Sequence, residues 1–362
     1  RSELRALLTP ILPFSKESRK IVAHSTRNFV TENVLVSAPG MYEMGESINA
    51  MLNDMDGPTF THLRATCEAF PNEELEPIIP ETVRGQHVFL LHPLQKPNPN
   101  IAIMSLYLMN QALARASVSG ITDVLPYMPY LRQDRRNTKR TSVSARDLAD
   151  LIQLTGKVES VITFDTHSDQ VEGFFRIPVE NISARSIHAE YFRRLFGGDL
   201  SNVRVISPDF GATVRAGRFA DELGVLVYIM QKKRDADSGE SETIGFMGGD
   251  VVGRDLLLYD DMIDTGGTIR GTVEKIMDQG PRSIHIAATH GIFSKNAEAK
   301  FKSGKFSVVV TDSITREDSY WQENDSWLKR VSIDELLAKA IHEAATCGGS
   351  VSKLSAPRKT SK

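Results

Sequence analysis

The chain has 362 residues, which is enough for two ordinary domains, each with its own core. Its 43 basic and 46 acidic residues nearly balance, for a net charge of −3, and this argues against a general nucleic-acid-binding protein. The longest nearly apolar run, 101–109, is too short to cross a bilayer, and Cys67 and Cys347 are too few for a disulfide framework or a cysteine-based zinc site.

The composition is that of an ordinary globular protein, with 41% hydrophobic and 25% charged residues. The first residues lack the sustained apolar core of a secretory signal peptide. We therefore expect a soluble cytoplasmic protein without nucleic-acid or membrane partners.

Residues 1–30 show no sustained periodicity, and we treat them as an N-terminal extension of unknown role. From Asn33 onward, short apolar runs alternate with amphipathic stretches. In the first half, strands are predicted at 34–37, 88–91, 121–126 and 161–165, and helices at 100–116 and 144–155. In the second half, strands are predicted at 203–207, 225–230, 255–259, 284–289 and 306–311, and helices at 213–223, 268–279, 295–302 and 332–345.

Strands that alternate with helices indicate an α/β fold with mostly parallel sheets covered on both faces. Two such sets predict two tandem doubly wound domains, at 31–185 and 186–331. The helix at 332–345 is expected to pack back on the first domain, and 348–362 is a polar tail.

The sharpest local motif is the segment 256–268, in which an apolar strand ends at Asp260 and Asp261. The turn that follows carries Asp264, Thr265, Gly266, Gly267 and Thr268, and a helix begins at its end. Glycines let the backbone approach an anion, and the free N–H groups of a helix start point at it. Two acids beside such a cradle accept hydrogen bonds from sugar hydroxyls or hold Mg²⁺. The motif favours a phosphorylated sugar; the alternative is a plain strand-to-helix turn.

Further polar motifs follow other predicted strands. Three arginines, Arg132, Arg135 and Arg136, suit a polyphosphate, and the alternative is a solvated basic loop. His167 lies among acids after a strand, and Asp209 follows another. Lys232, Lys233 and Arg234 precede a polar stretch, 235–245, that is read either as a mobile lid or as a solvated loop.

The segment 256–268 resembles the phosphoribosyl pyrophosphate loop shared by type I phosphoribosyltransferases and ribose-phosphate pyrophosphokinases. Taken together, the motifs from about Phe70 to Ala345 resemble the ribose-phosphate pyrophosphokinase family in order and spacing. The resemblance implies two domains of type I phosphoribosyltransferase-like fold. It also implies Mg²⁺-dependent transfer of the pyrophosphoryl group of ATP to the C1 hydroxyl of ribose 5-phosphate.

The resemblance implies a role for each matching residue. The first domain would bind ATP and the second domain ribose 5-phosphate. ATP would be bound by Phe70, Asn72, Glu74, Arg132, Gln133 and Arg135. Ribose 5-phosphate would be bound by Asp260, Asp261, Asp264, Thr265, Gly266, Gly267 and Thr268. Mg²⁺ would be held by His167, Asp209 and a further candidate, Asp165, and the catalytic pair on a mobile loop would be Lys232 and Arg234.

The resemblance also implies a homodimer or homohexamer. Asn72 stands where many family members carry aspartate, so the choice of nucleotide donor is open. The motifs mix features of the phosphate-activated and phosphate-independent classes, so the regulatory class is open as well. Two other functions stay as alternatives: a non-catalytic regulatory paralogue of the same family, and a phosphoribosyltransferase that binds a nucleobase.

Overall fold

The fold is known from a computed structural model that describes residues 33–95, 97–136, 139–208, 211–234, 241–302 and 304–355. These residues form a six-stranded sheet, a seven-stranded sheet and a separate two-stranded hairpin. The predicted α/β fold with two tandem, mostly parallel sheets is confirmed.

The first domain contains eight strands and three helices among its described residues. The strands are β1 (Asn33–Ser37), β2 (Phe60–Arg64), β3 (Thr66–Ala69), β4 (Leu75–Ile78), β5 (His87–Leu91), β6 (Gly120–Leu125), β7 (Val158–Phe164) and β8 (Val179–Ile182). The helices are α1 (Tyr42–Asp54), α2 (Pro99–Arg115) and α3 (Ser144–Gln153), and a short 3-10 helix is Asp169–Phe174. The sheet has the order β2-β1-β5-β6-β7-β8 and is parallel throughout, whereas β3 and β4 form the antiparallel hairpin.

The remaining strands belong to the second sheet, and the remaining helices lie before, between and after them. The strands are β9 (Val203–Ser207), β10 (Leu226–Arg234), β11 (Ser241–Met247), β12 (Asp255–Ile263), β13 (Ser283–Gly291), β14 (Ser307–Thr311) and β15 (Leu328–Val331). The helices are α4 (Arg185–Leu195), α5 (Thr213–Leu223), α6 (Gly267–Met277), α7 (Ala297–Lys302), α8 (Asp318–Asn324) and α9 (Asp334–Ala345), followed by a 3-10 helix, Val351–Ser355. The sheet order is β11-β10-β9-β12-β13-β14-β15, and only β11 runs antiparallel to its neighbour.

Two apolar cores cover the two faces of the first sheet. On one face, α2 and α3 bury residues such as Leu106 and Leu148. On the other face, α1 buries Ile48 and Leu52, which recur at helical spacing, and the last helix, α9, adds Ile341. Helix α9 therefore packs on the first domain.

The second sheet also has a core on each face. The chain enters this sheet at β9, moves outward to β10 and β11, and returns to β12 on the other side of β9. The order of winding thus reverses between β9 and β12. In doubly wound sheets, ligands bind outside the carboxyl ends of the strands at this reversal.

Every predicted strand and helix within the described residues has a counterpart, with bounds that differ by a few residues. The sequence analysis did not predict α1, β2, the β3–β4 hairpin, β8, α4, α8 or β15, several of which are short or largely polar. The prediction of a lid or loop at 235–245 is wrong for its last residues, because 241–247 form the strand β11. Across the described ranges, no helix is long and apolar enough to span a membrane.

Candidate active site between the two domains

The carboxyl ends of the two sheets meet at the domain interface. His167 follows β7 of the first domain, and its Nδ1 lies 2.7 Å from Oδ2 of Asp261 on β12 of the second domain. Asp261 is only 4% exposed, whereas the side chain of His167 is 37% exposed. The predicted metal residue and a predicted sugar residue are thus brought into direct contact.

Arg215, in the first turn of α5, connects this contact to the second acid. Its guanidinium donates to Asp260 and, at 2.6 Å, to Oδ1 of Asp261. It also donates to the backbone carbonyl of His167 at 3.3 Å. The sequence analysis missed Arg215, although its position six residues after Asp209 puts it in the helix that follows the strand-end motif.

The two adjacent aspartates have opposite pKa shifts. Burial and the neighbouring charge of Asp261 raise the pKa of Asp260 above its usual range. Burial alone would also raise the pKa of Asp261, but the hydrogen bond from His167 and the charge of Arg215 outweigh it and lower that pKa. The hydrogen bond to Asp261 in turn raises the pKa of His167. Asp261 is therefore a stable anion that pairs with a histidine favouring its charged form.

The turn after β12 has the shape expected of an anion cradle. Gly266 has a φ of +69° and precedes α6 directly. A Cβ at Gly266 would collide with the ring of Phe301, so this position requires glycine for both its backbone and its contact. Lys300 donates to the carbonyl of Thr265 at 3.1 Å, and α7 thereby supports the turn.

Asp264, at the start of this turn, is held from both domains. Arg132 of the first domain donates to its Oδ2 at 2.9 Å, and Ser294 of the second domain donates to its other oxygen. Arg132 was predicted to bind ATP and Asp264 to bind the sugar phosphate. The structure therefore places residues of the two predicted substrate sites in contact.

Asp165 has a different environment from the other acids. Its Oδ1 accepts a hydrogen bond from Ser183, and its Oδ2 accepts from the N–H of Ala184 and from Thr289 of the second domain. Both carboxylate oxygens are thus engaged by protein donors. The hydrogen bond from Thr289 makes Asp165 part of a contact that joins the domains, and its role as a further metal ligand stays a prediction.

The other predicted ATP residues are more dispersed. Gln133 accepts a hydrogen bond from Ser144 at the start of α3, and Arg135 is exposed. Phe70, Asn72 and Glu74 lie in the turn of the β3–β4 hairpin, where Phe70 is 47% exposed. In the described part of the chain, no hydrogen bond or ion pair joins these three residues to Arg132 or to the turn after β12.

Lys232 and Arg234, the predicted catalytic pair, were expected on a mobile loop, but the structure has a strand there. Lys232 and Arg234 lie on β10, paired with residues 243 and 241 of β11. The register of this hairpin shifts between Gln231 and Lys232. Asp209, the second predicted metal residue, lies outside the described residues.

A cavity of about 550 Å³ opens beside these groups at the domain interface. It is lined by residues from both domains, including Asp165, His167, Glu172, Arg215, Tyr259 and Asp261. Most of its lining residues are polar or charged, which suits a charged, hydroxylated ligand better than an apolar one.

The residues fit an Mg²⁺ ion that is held mainly by its substrate. In the ranges that the structure describes, no cluster of three or more His, Cys, Asp or Glu side chains is arranged to hold a metal ion. Mg²⁺ usually takes one or two protein ligands and completes its shell with water and substrate phosphates. The carboxylate of Asp261 orients the ring of His167 in the way that carboxylates orient metal-binding histidines.

The fold and this interface define a two-domain α/β protein. A turn of the phosphoribosyltransferase type in the second domain faces arginine and histidine side chains of the first domain. Family models agree with this class. Residues 33–156 match the N-terminal domain of ribose phosphate pyrophosphokinase, and residues 176–329 match the phosphoribosyl transferase domain.

Individual relatives narrow the class further. A ribose-phosphate pyrophosphokinase of Agrobacterium fabrum is 39% identical over 282 residues, which cover 78% of this chain and 88% of that protein. One from Corynebacterium efficiens is 38% identical over 280 residues, which cover 77% of this chain and 84% of that protein. The crystal structure of phosphoribosylpyrophosphate synthetase from Mycobacterium smegmatis matches with a TM-score of 0.74 and 31% identity, covering 86% of this chain and 98% of that one. The chain belongs to the ribose-phosphate pyrophosphokinase family.

Proposed function

We propose that this enzyme transfers the pyrophosphoryl group of ATP to the C1 hydroxyl of ribose 5-phosphate, giving phosphoribosyl pyrophosphate and AMP. The observation that carries the proposal is the contact between the two predicted substrate sites at the domain interface. Arg132 meets Asp264 there, and His167 meets Asp261. Two bound substrates would therefore lie next to each other.

The sugar phosphate would bind to the second domain. The turn formed by Asp264, Thr265, Gly266, Gly267 and Thr268 would hold the 5-phosphate, with backbone N–H groups at the start of α6 as donors. Asp260 and Asp261 lie a few residues earlier, near the carboxyl end of β12, and would accept hydrogen bonds from the ribose hydroxyls.

ATP would bind to the first domain. Arg132, Gln133 and Arg135 follow β6 and would contact its phosphates. Phe70, Asn72 and Glu74 in the β3–β4 hairpin would contact the nucleotide.

A homodimer or homohexamer also stays a prediction, and the molar mass in solution measures it.

Mg²⁺ would be held by His167 and Asp209 together with phosphate oxygens. When bound, the ion would neutralise charge on the phosphates of ATP. The protein's own part is to orient His167 through Asp261, whose Oδ2 lies 2.7 Å from Nδ1 of the ring.

In the transfer step, the C1 oxygen of the ribose attacks the β-phosphorus of ATP, and the bond from that phosphorus to the α,β-bridging oxygen breaks. AMP leaves with that oxygen, and the proton of the C1 hydroxyl passes to water. The transition state carries extra negative charge on the phosphoryl oxygens, so positioned cations stabilise it. Lys232 and Arg234 would supply that charge from β10.

Lys232→Ala tests the proposed step. Loss of one such charged donor lowers the rate on the order of 10²- to 10³-fold. We expect AMP release from ATP, measured with ribose 5-phosphate and Mg²⁺, to fall by this factor while the circular dichroism spectrum stays unchanged. Lys233→Ala removes the same charge at the neighbouring position and is the matched control. A wild-type rate in Lys232→Ala would remove this lysine from the mechanism.

The same assay separates the alternatives. A non-catalytic paralogue would release no AMP under any combination of the two substrates and Mg²⁺. A phosphoribosyltransferase would consume phosphoribosyl pyrophosphate and a nucleobase and would release pyrophosphate.

A further inference from the structure

We propose that Arg215 is a positioning residue that fixes the two carboxylates of Asp260 and Asp261 for the ribose hydroxyls. This inference rests on the proposed function, because it deepens the role of the same site. Arg215 acts through the two aspartates and needs no contact of its own with the substrate.

The geometry of the contacts supports this role. One nitrogen of the guanidinium donates to Oδ1 of both aspartates, and the other donates to the backbone carbonyl of His167. The planar fork of arginine holds several acceptors in one fixed arrangement, whereas a lysine ammonium is a point charge on a flexible stem. Arg215 thus ties the sugar residues to the loop of the first domain that follows β7.

Charge provides the second argument. Asp260 and Asp261 are neighbours at the end of one strand, where their negative charges repel each other. Among the described residues, the ring of His167 contacts Asp261, through Oδ2, and no hydrogen bond or ion pair joins it to Asp260. Arg215 is the cation that contacts both acids, so it offsets their repulsion and lets both act as acceptors toward a hydroxyl pair.

The burial of the pair makes this contact consequential. The Asp261 side chain is 4% exposed and that of Arg215 is 32% exposed, so solvent screens the pair only weakly. Without the guanidinium, Oδ1 of Asp261 would lose this donor, and Oδ1 of Asp260 would keep only the backbone N–H of Asp261 among its described donors. Both changes weaken sugar binding more than ATP binding.

The experiment compares Arg215→Gln, Arg215→Lys and a matched control, Arg282→Gln. Arg282 pairs with Asp255 at the opposite end of β12, so its replacement breaks another arginine–aspartate pair on the same strand. Steady-state rates give the KM for each substrate, and calorimetry gives ribose 5-phosphate binding to the protein.

We expect Arg215→Gln to raise the KM and the dissociation constant for ribose 5-phosphate about tenfold to a hundredfold, as loss of hydrogen bonds between charged groups does. The KM for ATP should change less than about twofold, and Arg215→Lys should restore part of the loss. Arg282→Gln should leave both KM values unchanged.

An unchanged KM for ribose 5-phosphate, or an equal rise in the KM for ATP, would overturn the positioning role. If Arg215→Gln does not fold, Arg215→Lys decides the question. Wild-type sugar binding in Arg215→Lys would show that charge alone suffices and would overturn the positioning role. If the wild type formed no phosphoribosyl pyrophosphate, the proposed function would fail, but calorimetry with ribose 5-phosphate would still test Arg215.

Discussion

Two buried aspartates of this protein, Asp261 at the domain interface and Asp123 in the core of the first domain, lie in opposite electrostatic environments. Asp261 is 4% exposed and contacts two cationic side chains, His167 and Arg215. Asp123 is fully buried on β6, and its hydrogen bond comes from the neutral amide of Asn110 on α2, at 3.0 Å. Cations keep the first carboxyl charged, whereas among the described residues the hydrogen-bond donor to the second is a neutral amide.

The protonation of the two acids differs accordingly. Burial raises the pKa of Asp123 to about 7, despite the hydrogen bond from Asn110. In the described residues, the remaining side-chain oxygens of Asp123 and Asn110 have no hydrogen-bond partner. A proton on the carboxyl is the donor that this pair lacks. Burial without a cation thus favours the neutral form of an aspartate, and a buried aspartate that stays charged needs cations from elsewhere in the fold.

The largest expected effect is that of Asp261→Asn on activity. The amide removes the charge that His167 and Arg215 pair with, and loss of one partner of a buried charged pair costs about 2–5 kcal/mol. We expect kcat/KM for ribose 5-phosphate to fall on the order of a hundredfold. Asp123→Asn makes the same chemical change away from the site and should leave kcat/KM near wild type. Equal losses in both variants would refute the distinction between the two acids.

Asp123→Asn should instead change stability, with a pH dependence that identifies the cause. The folded-state pKa of about 7 lies above the usual aspartate value of 3.8, so the folded protein holds a proton that the unfolded chain releases. Wild-type stability therefore falls as the pH rises from the lower value to the higher one, and is level above it. The amide cannot ionise, so the variant should gain up to about 4 kcal/mol at high pH.

Urea unfolding across this pH range measures that gain. The difference between variant and wild type should be small in acid, increase with pH and become constant above the folded-state pKa. A difference that does not vary with pH would mean that Asp123 has the same pKa in the folded and unfolded chains.

The smallest effect is expected at Asp165, a third aspartate, whose hydrogen-bond donors are neutral groups. It accepts hydrogen bonds from three protein donors, one of which is Thr289 across the domain interface, at 2.6 Å. Thr289→Val keeps the shape and removes that donor, and should lower the free energy of unfolding by about 1–2 kcal/mol. Thr346→Val, which removes a hydrogen bond to the neutral carbonyl of His342 at the end of α9, is the control and should cost less. No loss in Thr289→Val would show that this contact does not stabilise the domain interface.

Local motifs accounted for much of the fold, including the turn that is predicted to bind the sugar phosphate. The run from Leu256 to Thr268 combines an apolar strand, a glycine turn and a helix start, and the structure has β12 and α6 there. Each of these signals is contained in neighbouring residues, so the sequence displays them directly. The short, largely polar strands β2, β3, β4 and β15 lack such a signal, because their pairing depends on distant partners.

The sequence by itself determined the alternation of strands and helices, the two parallel sheets, the family and the residue types of the site, because these depend on spacing and on chemistry within short segments. Only the tertiary structure decided which charges meet: Arg215 with the two aspartates, Arg132 with Asp264, and Thr289 with Asp165. These pairs join residues that are tens of positions or more apart in the chain. Their contacts, and the pKa shifts that follow from them, exist only once the carboxyl ends of both sheets have come together.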